Sequence, residues 1–253
     1  MIIGAQLYTV SKFCQTLEGV SETLKRVADM GYTTVQLSGL CQYDPHWMRE
    51  ELRKNGLSCV LTHIPFDRMK ADPLQVCRDH DVLACRYIGL GMLPKARELN
   101  DQGYEQFIRE LRPIVKTFAE NGHKFFYHNH QYEFIQSGNG RVYLERLAED
   151  FSPEELGFTL DTYWVQYGGA NPLEWIDRLK GRIQCVHLKD MKIVQGEQRM
   201  APVGSGNMGF ERIVDAAAKA GAEYLLVEQD KSYEEDPFDC LRQSRRFLTA
   251  LGL

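Results

Sequence analysis

No run of about 18 apolar residues occurs in the chain, so a transmembrane helix is not expected. The opening MIIGAQLYTV lacks a basic segment followed by a long apolar one, which argues against a secretory leader. Basic residues number 30 against 35 acidic, and they form no stripe that could neutralise a row of phosphates. Nucleic acid is therefore a poor expectation as a partner. The seven cysteines, Cys14, Cys41, Cys59, Cys77, Cys85, Cys185 and Cys240, include no CxxC pair, which argues against a zinc ribbon or a dithiol redox site. With no export signal they read as reduced thiols, several of them buried as small hydrophobes. Also missing is a glycine-rich phosphate loop after the first apolar run. Gln6-Leu7-Tyr8-Thr9 stands there instead, which disfavours a dinucleotide-binding open sheet. These absences describe a cytoplasmic protein with no nucleic-acid or membrane partner.

What is present fits a large α/β core. The 253 residues are 43% hydrophobic and 26% charged, ordinary values for a globular chain and a length typical of one α/β barrel. Short apolar runs rich in Val, Ile, Leu, Phe and Tyr fall at 2–8, 34–38, 58–63, 85–90, 124–130, 156–161, 183–187 and 224–228. Each reads as a strand buried on both faces. Amphipathic stretches separate them. The pattern predicts helices at 17–30, 105–121, 210–220 and 238–251, and weaker ones at 45–55, 73–84, 141–150 and 172–180. Pro113 marks a kink or a break in the second of these. Parallel strands need such crossovers. With no linker or low-complexity tract in view, the expectation is a single (β/α)8 barrel spanning 1–253.

Ionisable residues gather where the late strands end, the face on which barrel active sites lie. Strand five ends in YHNHQYEF (127–134), strand six in LDTYW (160–164), strand seven in HLKD (187–190) and strand eight in VEQD (227–230). Asp161, His187 and Glu228 from three successive strands, with Glu133 from strand five, would converge as three oxygen donors and one nitrogen donor. That mixture suits one Mn²⁺, Mg²⁺, Co²⁺ or Zn²⁺ ion, and the absence of thiolate argues against a structural zinc site. On strand five the residues leave a choice. His128 and His130 share one side of the strand by alternation and Glu133 lies just past it, so His130 is a rival ligand. His63 at the end of strand three, His130, Trp164 and Lys189 are candidate substrate contacts, Trp164 as a wall for a sugar ring and Lys189 as a partner for a substrate oxygen. The loop Pro202-Val203-Gly204-Ser205-Gly206-Asn207-Met208-Gly209-Phe210 offers backbone amides ahead of a helix, which suits a phosphate or carboxylate.

These motifs, together with VGSG (203–206) and the opening GAQLYT, resemble the sugar phosphate isomerase/epimerase family. It belongs to the xylose-isomerase-like barrels, which also include inosose dehydratase and the ketose 3-epimerases. The resemblance implies a metal, commonly Mn²⁺, held by Glu133, Asp161, His187 and Glu228, with Glu133 preferred on strand five. The epimerases place that Glu on the strand itself, where this chain reads Phe126-Tyr127-His128. The implied function is isomerisation or epimerisation of a sugar or sugar-like substrate by proton transfer next to a carbonyl, through an enediolate. Glu133 and Glu228, on opposite sides of the substrate, would remove and return the proton. The alternatives are a lyase that dehydrates a keto-cyclitol or keto-sugar, a non-catalytic sugar-binding barrel, and a three-zinc nuclease like endonuclease IV. The last would need more early histidines and a basic groove. The expected partner is a small carbohydrate or cyclitol, and self-association is compatible with this reading.

Overall fold

The computed structural model describes residues 1–94 and 96–253. Eight parallel strands close into a barrel: β1 (Ile2–Gln6), β2 (Thr34–Leu37), β3 (Ser58–His63), β4 (Tyr87–Leu90), β5 (Lys124–His128), β6 (Leu156–Asp161), β7 (Cys185–Leu188) and β10 (Tyr224–Val227). Each pairs with its neighbour in chain order, and β10 closes on β1. Helices α1 (Leu17–Asp29), α2 (Pro45–Lys54), α3 (Phe66–Ala71), α4 (Pro73–Leu83), α5 (Asp101–Glu120) and α6 (Tyr143–Asp150) follow the first five strands. The ring is completed by α7 (Thr162–Tyr167), α8 (Pro172–Arg178), α9 (Phe210–Lys219) and α10 (Pro237–Ala250). This is the expected (β/α)8 barrel. Among the described residues no helix is long and apolar enough to cross a membrane.

Local chemistry explains where many helices begin. Four start with an Asp or Asn cap followed by proline: Asp44-Pro45, Asp72-Pro73, Asn171-Pro172 and Asp236-Pro237. Each cap oxygen accepts a free first-turn N–H, and the proline supplies a preset φ where no donor is needed. Pro113 neither breaks nor ends α5, which runs continuously from Asp101 to Glu120. Its apolar stripe, from Tyr104 through Phe107, Leu111, Ile114 and Phe118, is buried and holds the helix to the barrel across the missing donor.

Two departures from the sequence reading matter. The first strand ends at Gln6 rather than residue 8, and a 3-10 segment, Leu7–Phe13, takes over. Beyond β7 the chain forms an antiparallel hairpin that periodicity over short strands did not indicate: β8 (Asp190–Val194) and β9 (Glu197–Ala201). Its turn is Gln195-Gly196, both at positive φ (52° and 83°), a two-residue turn whose twist matches a hairpin.

Inside the barrel the floor is apolar. Val60, Leu61, Tyr87, Phe126, Cys185 and Leu226 pack together there. Two glycines make room for them. A Cβ at Gly4 would lie 2.6 Å from the Leu226 side chain, and one at Gly157 2.7 Å from the Phe126 ring. Above this floor, one inward position further along each strand, the side chains turn polar: Gln6, Gln36, His63, His128, Asp161 and His187. The end of β3 is braced from outside, where Thr62 Oγ1 lies 2.7 Å from His80 Nε2. His80 Nδ1 donates to Val76 O at 2.7 Å, so the ring is neutral with Nε2 accepting from the threonine.

Burial holds His80 down to a pKa of about 4. The unfolded chain takes up this proton near pH 6.5 and the folded chain does not, so stability falls as pH drops from about 6.5 toward 4. His80 is expected to account for about 2 kcal/mol of the loss between pH 7 and 5. Urea unfolding of wild type and His80→Gln checks this, and an equal pH slope in both would contradict it.

Candidate metal centre at the barrel mouth

Four buried side chains meet above the apolar floor: His128 from β5, Asp161 from β6, His187 from β7 and Glu228 just beyond β10. One ligand atom from each lies within 4.8 Å of the others. His128 Nε2 is 3.3 Å from Asp161 Oδ2, and His187 Nδ1 is 3.7 Å from Asp161 Oδ2 and 2.8 Å from Glu228 Oε2. Strand register sets this up, since Asp161 is paired directly with His187 across β6 and β7.

The second nitrogen of each imidazole fixes what the first can do. His128 Nδ1 is 2.8 Å from the carbonyl oxygen of Gly91, which can only accept, so that nitrogen carries the proton. His187 Nε2 is 2.6 Å from Gln36 Oε1, which likewise accepts. Both rings therefore turn their remaining nitrogen, His128 Nε2 and His187 Nδ1, toward the carboxylates, the orientation that outer partners impose on metal-binding histidines. His187 Nδ1 is buried without a hydrogen-bond partner and faces Glu228 Oε2, whose other neighbour is the Lys189 ammonium at 2.8 Å. Two lone pairs at 2.8 Å repel unless a proton or a cation lies between them. The donor set and its orphaned nitrogen thus fit a divalent cation.

The carboxylates are oriented too. Asp161 Oδ1 caps α7 by accepting from Trp164 N at 2.9 Å, which leaves Oδ2 for the site. Asn129 Oδ1 accepts from Asp161 N, and Thr162 Oγ1 accepts from Lys189 N while its one hydrogen points between the carbonyls of His187 and Lys189, pinning the ends of β6 and β7. Burial raises Asp161 and Glu228, but the Lys189 ammonium together with His128 and His187 outweighs it and holds both well below the usual carboxylate range. Burial lowers His187, and here Glu228 and Asp161 prevail and raise it. Every one of these interactions calls for positive charge at the centre.

The structure separates the expected residues. Asp161, His187 and Glu228 converge as the sequence indicated, whereas Glu133 does not join them. It lies in a 3-10 turn, Tyr132–Phe134, where Oε1 accepts from the Tyr127 hydroxyl at 2.6 Å and Oε2 from His130 N at 2.7 Å. Tyr127 sits on the helix-facing side of β5 and draws the carboxylate away from the mouth. Burial raises this carboxyl despite those two bonds. The rival His130 is not in the donor cluster either. Its ring stacks 5.1 Å from Trp164, with Nδ1 unpartnered. The strand-five member is His128; alternation puts His130 on the same side, and the end of β5 at His128 is what separates the two.

The remaining candidates line the mouth. His63 Nδ1 is 3.2 Å from Ser38 Oγ, while its Nε2 is buried and unpartnered. Burial pushes His63 well below its usual range and His130 to about 3, so both are neutral. Trp164 Nε1 is likewise unpartnered. Lys189 lies deeper than expected, only 1% exposed and surrounded by carboxylates. The glycine-rich loop is not an open anion site. Asp190 Oδ2 accepts from Gly204 N and Gly206 N at 3.0 and 2.9 Å, so the chain's own carboxylate fills the amide nest. Two surface cavities, of about 630 and 580 Å³, flank α8–α9 and α3–α5 and contain none of the mouth residues.

The model of the xylose isomerase-like TIM barrel family matches residues 24–251. A curated inosose dehydratase of Geobacillus kaustophilus is 27% identical over 194 residues, 68% of this chain and 62% of that protein. The chain thus matches somewhat under two thirds of that relative's length. A probable endonuclease 4 of Mycobacterium leprae is 32% identical over 98 residues, 37% of this chain and 39% of its own. Among solved structures, a sugar phosphate isomerase/epimerase from Parabacteroides distasonis superposes with a TM-score of 0.83 at 20% identity, covering 98% of this chain and 93% of its own. An L-ribulose 3-epimerase gives 0.76 at 16%, covering 99% and 94%. At such identities the structural likenesses speak for the fold.

The geometry assigns different fates to two neighbouring substitutions. Glu133→Gln is expected to keep Mn²⁺ affinity within about twofold, whereas His128→Ala, which removes a donor itself, should lose more than the roughly 10- to 100-fold that removal of an outer partner costs. Glu133→Ala, which leaves a buried N–H and O–H unpaired, should cost about 2–4 kcal/mol of stability. Calorimetric Mn²⁺ titration and urea unfolding measure both. Loss of metal uptake in Glu133→Gln would return Glu133 to the ligand set.

Proposed function

The chain belongs to the xylose isomerase-like TIM barrel family, and from that premise we propose that it is a divalent-metal-dependent enzyme that transfers a proton next to the carbonyl of a sugar or cyclitol. The observation that carries this reading is the buried convergence of His128, Asp161, His187 and Glu228, with one nitrogen of each imidazole turned toward the carboxylates. These four residues would hold the ion, and two nitrogens with two oxygens suit Mn²⁺, Co²⁺ or Zn²⁺ better than the oxygen-preferring Mg²⁺. When bound, such an ion supplies Lewis-acid polarisation of substrate oxygens.

The chain's own groups do the rest. Glu228, whose Oε2 lies at the centre of the mouth beside His187 Nδ1 and Lys189 Nζ, is the base that removes the proton. Gln36 Nε2, His63 Nε2, His130 Nδ1 and Trp164 Nε1 are buried polar atoms without partners, and they suit substrate hydroxyls. Their spread around the mouth would orient a ring with several hydroxyl groups, and the Trp164 face would cover its C–H side. The apolar floor and the deep placement of the site keep water from the reacting carbon.

One observation favours a second outcome. Epimerisation needs a base on each face of the substrate, and the strand-five carboxylate that would supply the second is turned away toward Tyr127. The other carboxylates near Glu228 do not replace it. Asp161 caps α7, and Asp230 comes from the same end of β10 as Glu228 and is engaged by Lys189. A single carboxyl suffices for dehydration: it takes the proton from the carbon next to the carbonyl and passes it to the β-hydroxyl, whose C–O bond breaks as water leaves. Dehydration of a keto-cyclitol or keto-sugar is therefore the product reading we prefer over epimerisation, and the curated inosose dehydratase relatives support it.

Elemental mass spectrometry should find about one divalent metal per wild-type chain and much less in Glu228→Ala. Incubated with an inosose in D₂O, wild type should give a product lighter by one water. Glu228→Gln should retain the fold and lose about 10²- to 10⁴-fold in rate. A deuterated epimer of unchanged skeleton would select epimerisation instead. No metal in wild type after incubation with Mn²⁺ would sink the enzyme reading and favour a sugar-binding barrel.

A further inference from the structure

Lys189 is placed where a substrate-binding lysine has no need to be. Its Nζ lies 2.9 Å from Asp161 Oδ2, 2.8 Å from Glu228 Oε2 and 2.9 Å from Asp230 Oδ1. The first two are the same oxygens that face His187 Nδ1. A cation seated among the four donors and the ammonium of Lys189 therefore draw on the same two atoms. Asp230 is different. It stands outside the donor set, and its side chain is 19% exposed against 0% for Asp161 and 4% for Glu228.

Resting on the metal reading above, we propose that Lys189 is a tethered cation that competes with the divalent ion for Asp161 and Glu228 and, once the ion is loaded, is held by Asp230 alone. Three carboxylates gathered in a water-poor mouth repel one another, and burying them with no cation is strongly unfavourable. The tether meets that need while the ion is absent, so the mouth keeps its shape through metal exchange. The same positive charge repels an incoming divalent ion. Affinity is then set below what the four donors alone would give, and Asp230 offsets part of the repulsion by receiving the displaced ammonium nearer the rim. The Trp164 ring centroid lies 5.4 Å from Nζ, so its π face attracts the ammonium as well.

The test is Mn²⁺ binding by calorimetry, with thermal unfolding in the absence and presence of Mn²⁺, on wild type, Lys189→Met and Asp230→Asn. Lys189→Met keeps an apolar stem and removes the charge. It should bind Mn²⁺ about tenfold more tightly or better, melt at a lower temperature without metal and gain more from Mn²⁺ than wild type does. Asp230→Asn should bind Mn²⁺ about threefold or more weakly, because the displaced ammonium has lost its receiver. Equal or weaker Mn²⁺ binding by Lys189→Met, with wild-type binding intact, overturns the tethered cation and leaves the metal reading standing. Should Lys189→Met not fold without metal, Asp230→Asn decides, and an unchanged affinity there overturns the proposal. If neither wild type nor Lys189→Met takes up Mn²⁺, the metal reading itself falls and this inference falls with it.

Discussion

Negative charge held away from water, at the top of an apolar barrel, is the constraint around which this mouth is arranged. Asp161 and Glu228 are fully or almost fully buried, and Leu226, Phe126 and Leu61 close the space beneath them. In such surroundings a carboxylate keeps its charge only beside positive charge or donated hydrogens. Much of the local architecture supplies one or the other. Trp164 N satisfies one oxygen of Asp161, Lys189 faces three carboxylates, and His187 is drawn toward its cationic form. His63 and His130 lie a ring's width further out and stay neutral, because desolvation is not opposed there by a carboxylate in contact. The mouth is therefore graded, charged at its centre and neutral but polar around it.

That gradation rests on rigid elements rather than on loops. His128, Asp161 and His187 are strand residues, and Glu228 follows its strand directly, its N–H donating to Leu188 O at 3.1 Å. Partners of each ligand come from other strands or their ends: Gly91 for His128, Gln36 for His187, Asn129 for the Asp161 backbone. Positioning by the barrel wall fixes ring planes and tautomers before anything binds, so binding need not order the ligands.

The sequence was most legible where periodicity and strand ends coincide. Eight short apolar runs gave the barrel, and Asp161, His187 and Glu228 were readable because a single polar residue closes each run. Strand five defeated the same logic for a physical reason. Its polar tail, Tyr127 to Glu133, continues past the last paired residue, His128, and a 3-10 turn then reverses the direction in which side chains point. Counting by twos is valid only while the chain stays extended, so His128 obeys it and Glu133 does not. The hairpin of β8 and β9 was missed for a related cause. Its residues alternate weakly, Met191 and Ile193 against Lys192, and lie half exposed, so no apolar run announces them.

Lys189 and Asp190 show how far adjacent residues can part in role. Successive side chains on an extended strand point to opposite sides. Lys189 thus enters the mouth, and Asp190 leaves it to bind the amides of Gly204, Gly206 and Met191. A Cβ at Gly206 would come within 2.3 Å of Asp190 Oδ1, so a bare backbone at that position is what lets the loop wrap the carboxylate. Read as a motif, the glycine-rich loop suggested a phosphate cradle, but its anion is built in. With those amides engaged and the Lys189 charge already opposed by three carboxylates, neither feature is left to hold a phosphate. The partnerless atoms that do face the mouth are an amide nitrogen, imidazole nitrogens and an indole N–H, groups that match hydroxyls rather than a dianion. Those groups suit the hydroxyls of the sugar or cyclitol proposed above, and the mouth concentrates its charge at the centre.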